Sequence, residues 1–208
     1  MNNSIVNAAD IAELAAAHPR FDTIHRQYGP PPGWCREPGF VSLCKIILEQ
    51  QVSLASADAH FRKLDSYISE FTPAHILTLN DEEMRLCQVS RQKATYLRAL
   101  STAIIDKEID LAGLSDMDEN AVRAKLTAVK GIGHWTTDIY LMFCLQAKDI
   151  FPLGDIAIVN TIKKLAGVNS KEDILSLSAT WKPFRSLATY FLWHHYLSSR
   201  KSKTGSSI

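Results

Sequence analysis

The sequence predicts an all-α fold with short connections. Apolar residues recur at helical spacing along most of its 208 residues, no stretch alternates convincingly as a half-buried strand would, and capping residues, prolines and glycines punctuate the segments. The composition, 46% hydrophobic and 22% charged, is ordinary for a folded protein with one large domain or two small lobes around a shared core.

Residues 4–17 read as a short helix with Ile11, Leu14 and Ala15 on one face, ended by His18-Pro19. Residues 19–28 repeat the spacing through Phe21, Ile24 and Tyr28. Residues 29–39, GPPPGWCREPG, hold four prolines and three glycines, so they form a stiff irregular loop presenting Trp34. That tryptophan is either a core plug or a functional ring. Residues 40–64 read as two helices broken at Glu49-Gln50-Gln51, with Phe40, Leu43, Ile47, Val52, Leu54, Ala57 and Phe61 as the buried face and Ser53 as a cap.

Thr72-Pro73 opens another helix, Asn80 with Glu83 forms a capping box, and Ser90 starts a helix with Tyr96, Leu97, Leu100 and Ile104 inward. Gly113 ends the next segment. Asp118 to Val129 is amphipathic, residues 134–146 are apolar and buried, residues 156–166 form a helix behind Asp155, and 171–177 form a short one. Thr180-Trp181-Lys182-Pro183 starts an aromatic-rich last helix. Residues 198–208 read as a polar, disordered tail.

No stretch approaches the roughly 20 apolar residues of a membrane span, and the first residues lack the pattern of a signal peptide. Cys35, Cys44, Cys87 and Cys144 have no metal-ligand spacing. Cys44 and Cys144 read as buried thiols, and the set points to a reducing cytosolic compartment, or a nuclear one in a eukaryote. The charge is asymmetric. Residues 1–117 carry 11 Lys+Arg against 15 Asp+Glu, and residues 118–208 carry 12 against 7. Such a division marks either a polyanion-facing half or ordinary solvated surface.

Two features suggest chemistry. Val129-Lys130-Gly131-Ile132-Gly133 reads as a tight turn between helices. Its glycines allow positive φ and close backbone approach, and the helix that follows offers an anion its first N–H groups and its dipole. A phosphate suits that place; a plain glycine-capped turn is the alternative. Asp155 stands where an N-cap stands. A carboxylate there stays ionised and also suits the stabilisation of a sugar cation.

The flanks carry a resemblance. LTAVKGIGHWTTDIY resembles the helix-hairpin-helix motif, and with the Asp155 segment it resembles the DNA glycosylase superfamily that carries this motif. FVSLCKIILEQQVSLASA and SRQKATYLRAL are similar to helical signatures of the 3-methyladenine DNA glycosylase II family, and WKPFRSLATYFLW to its C-terminal helix. The likeness runs in collinear order over about residues 20–197. It implies a two-lobed helical glycosylase fold over residues 1–197, a cleft between the lobes, and the compact form without an extra N-terminal β-domain.

The resemblance also assigns roles. Asp155 matches the catalytic aspartate. Gly131, Ile132, Gly133, His134 and Lys130 match the DNA-backbone grip. Trp135 and Trp193 match base-pocket aromatics, Trp34 joins them as a candidate, and Gln51 matches the wedge that fills the gap left by a flipped base. Backbone carbonyls of Thr127, Val129 and Ile132 would hold a monovalent cation, Na+ or K+. Bifunctional relatives carry a lysine where Trp135 stands, so strand cleavage is not expected; nor is an iron–sulfur cluster, since no cysteine follows Cys144. Ile139 stands where the family may carry a tyrosine, and Tyr140, one place later, should face elsewhere.

The function implied is monofunctional removal of alkylated purines, of the 3-methyladenine and 7-methylguanine type, from double-stranded DNA. A monomer would do this with no required cofactor and no membrane. The alternatives are a non-catalytic helix-hairpin-helix DNA-binding module and a glycosylase for deaminated or oxidised bases.

Overall fold

The computed structural model describes residues 4–204, with side chains through residue 200. Twelve α-helices follow one another among the described residues, with no strand. They are α1 (Ala8–Ala17), α2 (Pro19–Tyr28), α3 (Phe40–Glu49), α4 (Leu54–Tyr67), α5 (Pro73–Thr78), α6 (Asp81–Leu86) and α7 (Arg91–Ile105). After a 3-10 turn at Ala112–Asp116 come α8 (Glu119–Ala128), α9 (His134–Phe143), α10 (Ile156–Ala166), α11 (Lys171–Ala179) and α12 (Arg185–Thr204).

Local chemistry sets these boundaries. Ser53, Thr72, Ser90 and Asp118 each accept a backbone N–H at their helix start, and Asn80 with Glu83 forms a complete capping box. Pro19 opens α2 and Pro73 opens α5, where a missing N–H costs nothing.

The chain divides into two compact units, residues 36–145 and the pair 4–35 with 146–204. In the 36–145 unit α3 packs on α4, α7 and α9, α8 packs on α9, and α7 also carries α5 and α6. Leu43, Ile46, Ile47, Leu48, Leu97, Leu100, Val122, Leu126 and Tyr140 are wholly buried there. Arg123 of α8 forms an ion pair with buried Asp138 of α9. In the other unit α12 packs on α1, α2 and α10. Phe21 stands edge-on to Trp181, with ring centroids 5.4 Å apart, and touches Phe191 at 5.9 Å. Lys148 pairs with Asp10 at 2.9 Å, and Arg185 grips both carboxylate oxygens of Asp149 at 2.7 and 2.9 Å.

The structure corrects several expectations. Val52 and Leu54 are 40% and 62% exposed instead of core. The chain passes through a left-handed residue, Gln51 with φ +56°, and the following segment leaves the phase of α3. Tyr96 and Ile104 are only half-buried, and Ala94, Ser101 and Ala103 complete the inner face of α7. Gly113 lies inside the 3-10 turn and not after it. The apolar helix after the glycine turn ends at Phe143.

The last helix begins at Arg185, because Pro183 biases its predecessor away from helical geometry. Trp181 therefore sits before that helix and is 2% exposed. The helix then continues through Thr204, so residues 198–204 are helical and not a disordered tail; residues 205–208 lie outside the described residues. Cys44 and Cys144 are buried as expected, as is Cys87, while Cys35 is exposed. Burial pushes the Cys44 thiol well up. No helix among the described residues is long and apolar enough to cross a membrane.

Two histidines give stability a pH dependence. The Nδ1 atoms of His60 and His195 are buried with no hydrogen-bond partner. Burial, then the charges of Lys93 and Lys63, hold the His60 imidazole below its ordinary value, and burial does so for His195. Both therefore bind a proton less readily in the folded chain than in the unfolded one, which takes up these protons at higher pH. Their contribution is present above about pH 6.5 and is lost as pH falls through the depressed folded-state values. Melting at pH 7.5 and 5.5 is expected to show a lower Tm in acid, with a smaller difference in His60→Gln.

Candidate functional site

The candidate residues divide between the two units. In the 36–145 unit the glycine turn joins α8 to α9. Val129 ends α8, and its carbonyl receives the Ile132 N–H at 3.0 Å, closing the turn. Gly131 has φ +92°, which favours glycine, and a Cβ placed on it would lie 2.1 Å from Cγ of Tyr96. Ile132 is buried and anchors the turn. Gly133 caps α9 with no side-chain hydrogen bond, and Gly133, His134 and Lys130 are exposed. A backbone turn leading into an exposed helix N-terminus is an anion site in form.

Trp135 sits in the first turn of α9 and is half-buried. Tyr140 turns inward, where its hydroxyl accepts the Gly39 N–H at 3.0 Å and burial pushes its phenol up to about 12. Ile139 is buried beside it in sequence.

Gln51 lies at the tip between α3 and α4, exposed, in the left-handed conformation. A non-glycine residue held there stores strain of the kind that gathers at functional positions. Gln88, between α6 and α7, is also left-handed with φ +61°. Both line a recess of about 210 Å³ with Gln50, His60, Lys93 and Tyr96.

Gln50 is a candidate site residue that sequence patterns do not mark. Its Nε2 donates to the Gly131 carbonyl at 3.0 Å and to Thr136 Oγ1 at 2.8 Å. In the Gln-Gln doublet only the second member carries a motif match; the first finds its hairpin partner 81 positions away.

The carbonyls expected to hold a cation have the right character. Val129 O already accepts one N–H, at the point where the turn closes. Thr127 is in the last turn of α8, at the negative end of its dipole. The three carbonyls are hard neutral donors, as a monovalent ion requires.

In the other unit Asp155 is the N-cap of α10, accepting the Ile158 N–H at 2.9 Å, and it is half-buried. The turn before it is closed by the Asp155 N–H on the Pro152 carbonyl at 2.9 Å. Here α10 packs on α12, the helix that carries Trp193. Trp34 and Trp193 come together edge to face, with ring centroids 6.2 Å apart. Tyr190 completes the cluster, 5.2 Å from Trp34 and 6.0 Å from Trp193. The irregular loop is pinned by its own backbone, for the Trp34 carbonyl accepts the Tyr190 hydroxyl at 2.7 Å and Gln146 Nε2 at 3.2 Å. Trp34 thus belongs to an aromatic group with Trp193 that keeps both indoles half-exposed. Tyr190, which the sequence places only among the aromatics of the last helix, is wholly buried and orders them.

Helices joined by a glycine hairpin, followed in sequence by an aspartate cap and an aromatic-rich helix, define an all-helical helix-hairpin-helix protein of the glycosylase fold. Known proteins agree with this class. Residues 44–186 match the HhH-GPD superfamily of base excision DNA repair proteins, and the chain belongs to that family. It is 30% identical over 179 residues to DNA-3-methyladenine glycosylase 1 of Schizosaccharomyces pombe, covering 80% of this chain and 76% of that one. It is 27% identical over 169 residues to the DNA-3-methyladenine glycosylase of Bacillus subtilis, covering 74% of this chain. The chain spans 56% of the length of the two Bacillus subtilis relatives it matches. Among solved structures, the fission yeast 3-methyladenine DNA glycosylase Mag1, in complex with abasic DNA, superposes with a TM-score of 0.80 at 26% identity, over 89% of this chain and 95% of that one.

Proposed function

We propose that the protein is a monofunctional DNA glycosylase that hydrolyses the N-glycosidic bond of alkylated purines in duplex DNA, of the 3-methyladenine glycosylase II type. The observation that carries the reading is a carboxylate, Asp155, held as the cap of α10 within the part of the chain that matches a base excision repair family. The relatives' names supply the substrate class.

The chemistry then follows from these residues. As the base leaves, C1′ of the sugar gains oxocarbenium character, and the Asp155 carboxylate stabilises that cation and orients the attacking water. A cationic methylated purine is already a good leaving group and stacks well on electron-rich indoles, a gain of about 0.5–2 kcal/mol. Trp135 and the Trp34–Trp193 pair are the candidate stacking rings. The hairpin from Lys130 to His134 binds the DNA backbone, and Gln51 fills the gap left by the flipped base, whose extrusion costs a few kcal/mol. A Na+ or K+ ion on the carbonyls of Thr127, Val129 and Ile132 would lend positive charge to the phosphate contact. The enzyme works as a monomer and requires no other cofactor.

Purified protein incubated with duplex DNA carrying methylated purines is expected to leave abasic sites that become strand breaks only on heating in alkali. No release above a boiled control would sink the reading. Because Trp135 stands where strand-cleaving relatives carry lysine, borohydride is expected to trap no covalent adduct. A trapped adduct would overturn the monofunctional assignment. A panel including deaminated and oxidised bases tests the substrate class in the same assay.

A further inference from the structure

The Gln50 side chain joins two pieces of the proposed DNA-binding surface that the sequence keeps far apart. Its single amide nitrogen donates to the Gly131 carbonyl inside the hairpin and to Thr136 Oγ1 in the first turn of α9. Its own backbone is the C-cap of α3, fixed by an N–H to the Ile47 carbonyl at 3.3 Å. The next residue is Gln51, the candidate wedge, in its left-handed conformation. One peptide unit therefore separates the side chain that holds the hairpin from the side chain at the tip. Tyr96 of α7 also packs on the hairpin, because its ring occupies the space where a Gly131 Cβ would stand.

Thr136 is 1% exposed, and Gln50 is half-buried. A half-buried amide with two protein acceptors is strongly oriented, and removing it leaves a carbonyl and a hydroxyl poorly satisfied. The Gly131 carbonyl lies on the far side of the peptide whose N–H belongs to Ile132. Holding that oxygen sets the plane of the peptide whose N–H closes the turn on the Val129 carbonyl, and with it the path of the backbone into α9.

We infer that Gln50 is a positioning residue that fixes the phosphate-gripping hairpin and ties it to the wedge residue Gln51. It touches neither base nor sugar; it sets the backbone that does. This inference rests on the DNA-binding reading of the hairpin. The grip and the wedge are then one mechanical unit, so a duplex held by its phosphate is presented to the wedge in a fixed register.

The test uses Gln50→Met, close to isosteric and without N–H groups, and Thr136→Val, which removes only the second acceptor. Binding to an undamaged duplex and to the same duplex with an abasic site is titrated at several salt concentrations, and melting confirms folding. Gln50→Met is expected to weaken undamaged-duplex binding about three- to tenfold, the scale of one or two hydrogen bonds. It is also expected to flatten the salt dependence, by about 0.9 in the logarithmic slope for each phosphate that the hairpin no longer engages. Its preference for the abasic duplex is expected to fall as well. Thr136→Val is expected to weaken binding about two- to threefold.

A merely structural role would lower Tm and leave the salt slope unchanged, and that result overturns the proposal. Wild-type affinity in both variants overturns it too. Weakened binding with the abasic preference intact overturns the tie to Gln51. If the wild-type protein binds no duplex at all, the functional reading itself fails and the inference with it; that outcome is recognised from the wild-type titration alone.

Discussion

Asp155→Asn is expected to lower base release on the order of 10²–10³-fold, the cost of removing one aimed electrostatic contact from a transition state, while the folded state and duplex binding survive. The observed cap and the proposed catalytic role of this residue separate cleanly. As the cap of α10 it needs an oxygen that accepts the Ile158 N–H, now at 2.9 Å. Asparagine supplies such an oxygen and ranks with aspartate as a cap. As the stabiliser of a sugar cation it needs a negative charge, and asparagine has none. Asp155→Ala removes both, so it is expected to lose activity and about 1 kcal/mol of stability. Single-turnover release assays and thermal melts on the two variants distinguish the roles. Turnover near the wild-type rate in Asp155→Asn would remove the residue from the chemistry and leave only a helix cap.

The helical class and most helix starts are legible in the sequence because they depend on local rules. Ser53, Thr72, Asn80 and Ser90 announce their helices through side chains that reach only two or three residues ahead. Asp155 is legible in the same way, as a cap before an apolar run. Phase across a break is not. Val52 and Leu54 fit an apolar stripe continued from α3, but the left-handed turn at Gln51 ends that stripe and leaves them exposed. Long-range satisfaction is also invisible. Nothing near Gln50 says that its amide is used by Gly131 and Thr136, and nothing near Trp34 says that Tyr190 and Gln146 hold its carbonyl. Sequence patterns thus locate the residues that carry charge or rings. The residues that aim them emerge only from the fold, since each acts through a partner far along the chain.

The two hairpin glycines are expected to respond differently to alanine, and the contrast tests what each is for. Gly131 has φ +92°, and a Cβ there would lie 2.1 to 2.6 Å from three ring atoms of Tyr96. These are the atoms at the base of the ring, which cannot move aside without a change of rotamer. The Tyr96 hydroxyl is also bound by Gln92 Nε2 at 2.6 Å. Backbone strain of about 1–2 kcal/mol and overpacking of about 1–3 kcal/mol act together. Gly131→Ala is therefore expected to lower Tm by about 5–15 °C for a chain of this size. In a Tyr96→Ala background only the backbone part should remain, and the cycle isolates the packing part. Gly133 has φ −99°, and a Cβ added to it would meet nothing within 4 Å, so the fold does not require glycine there. On the proposed reading its bare backbone serves the approach of a DNA phosphate. Gly133→Ala is expected to melt close to the wild type and yet bind duplex DNA more weakly, as a methyl group keeps the phosphate away from the start of α9. Wild-type duplex affinity in Gly133→Ala would remove this glycine from the contact and leave Gly131 as a purely structural hinge.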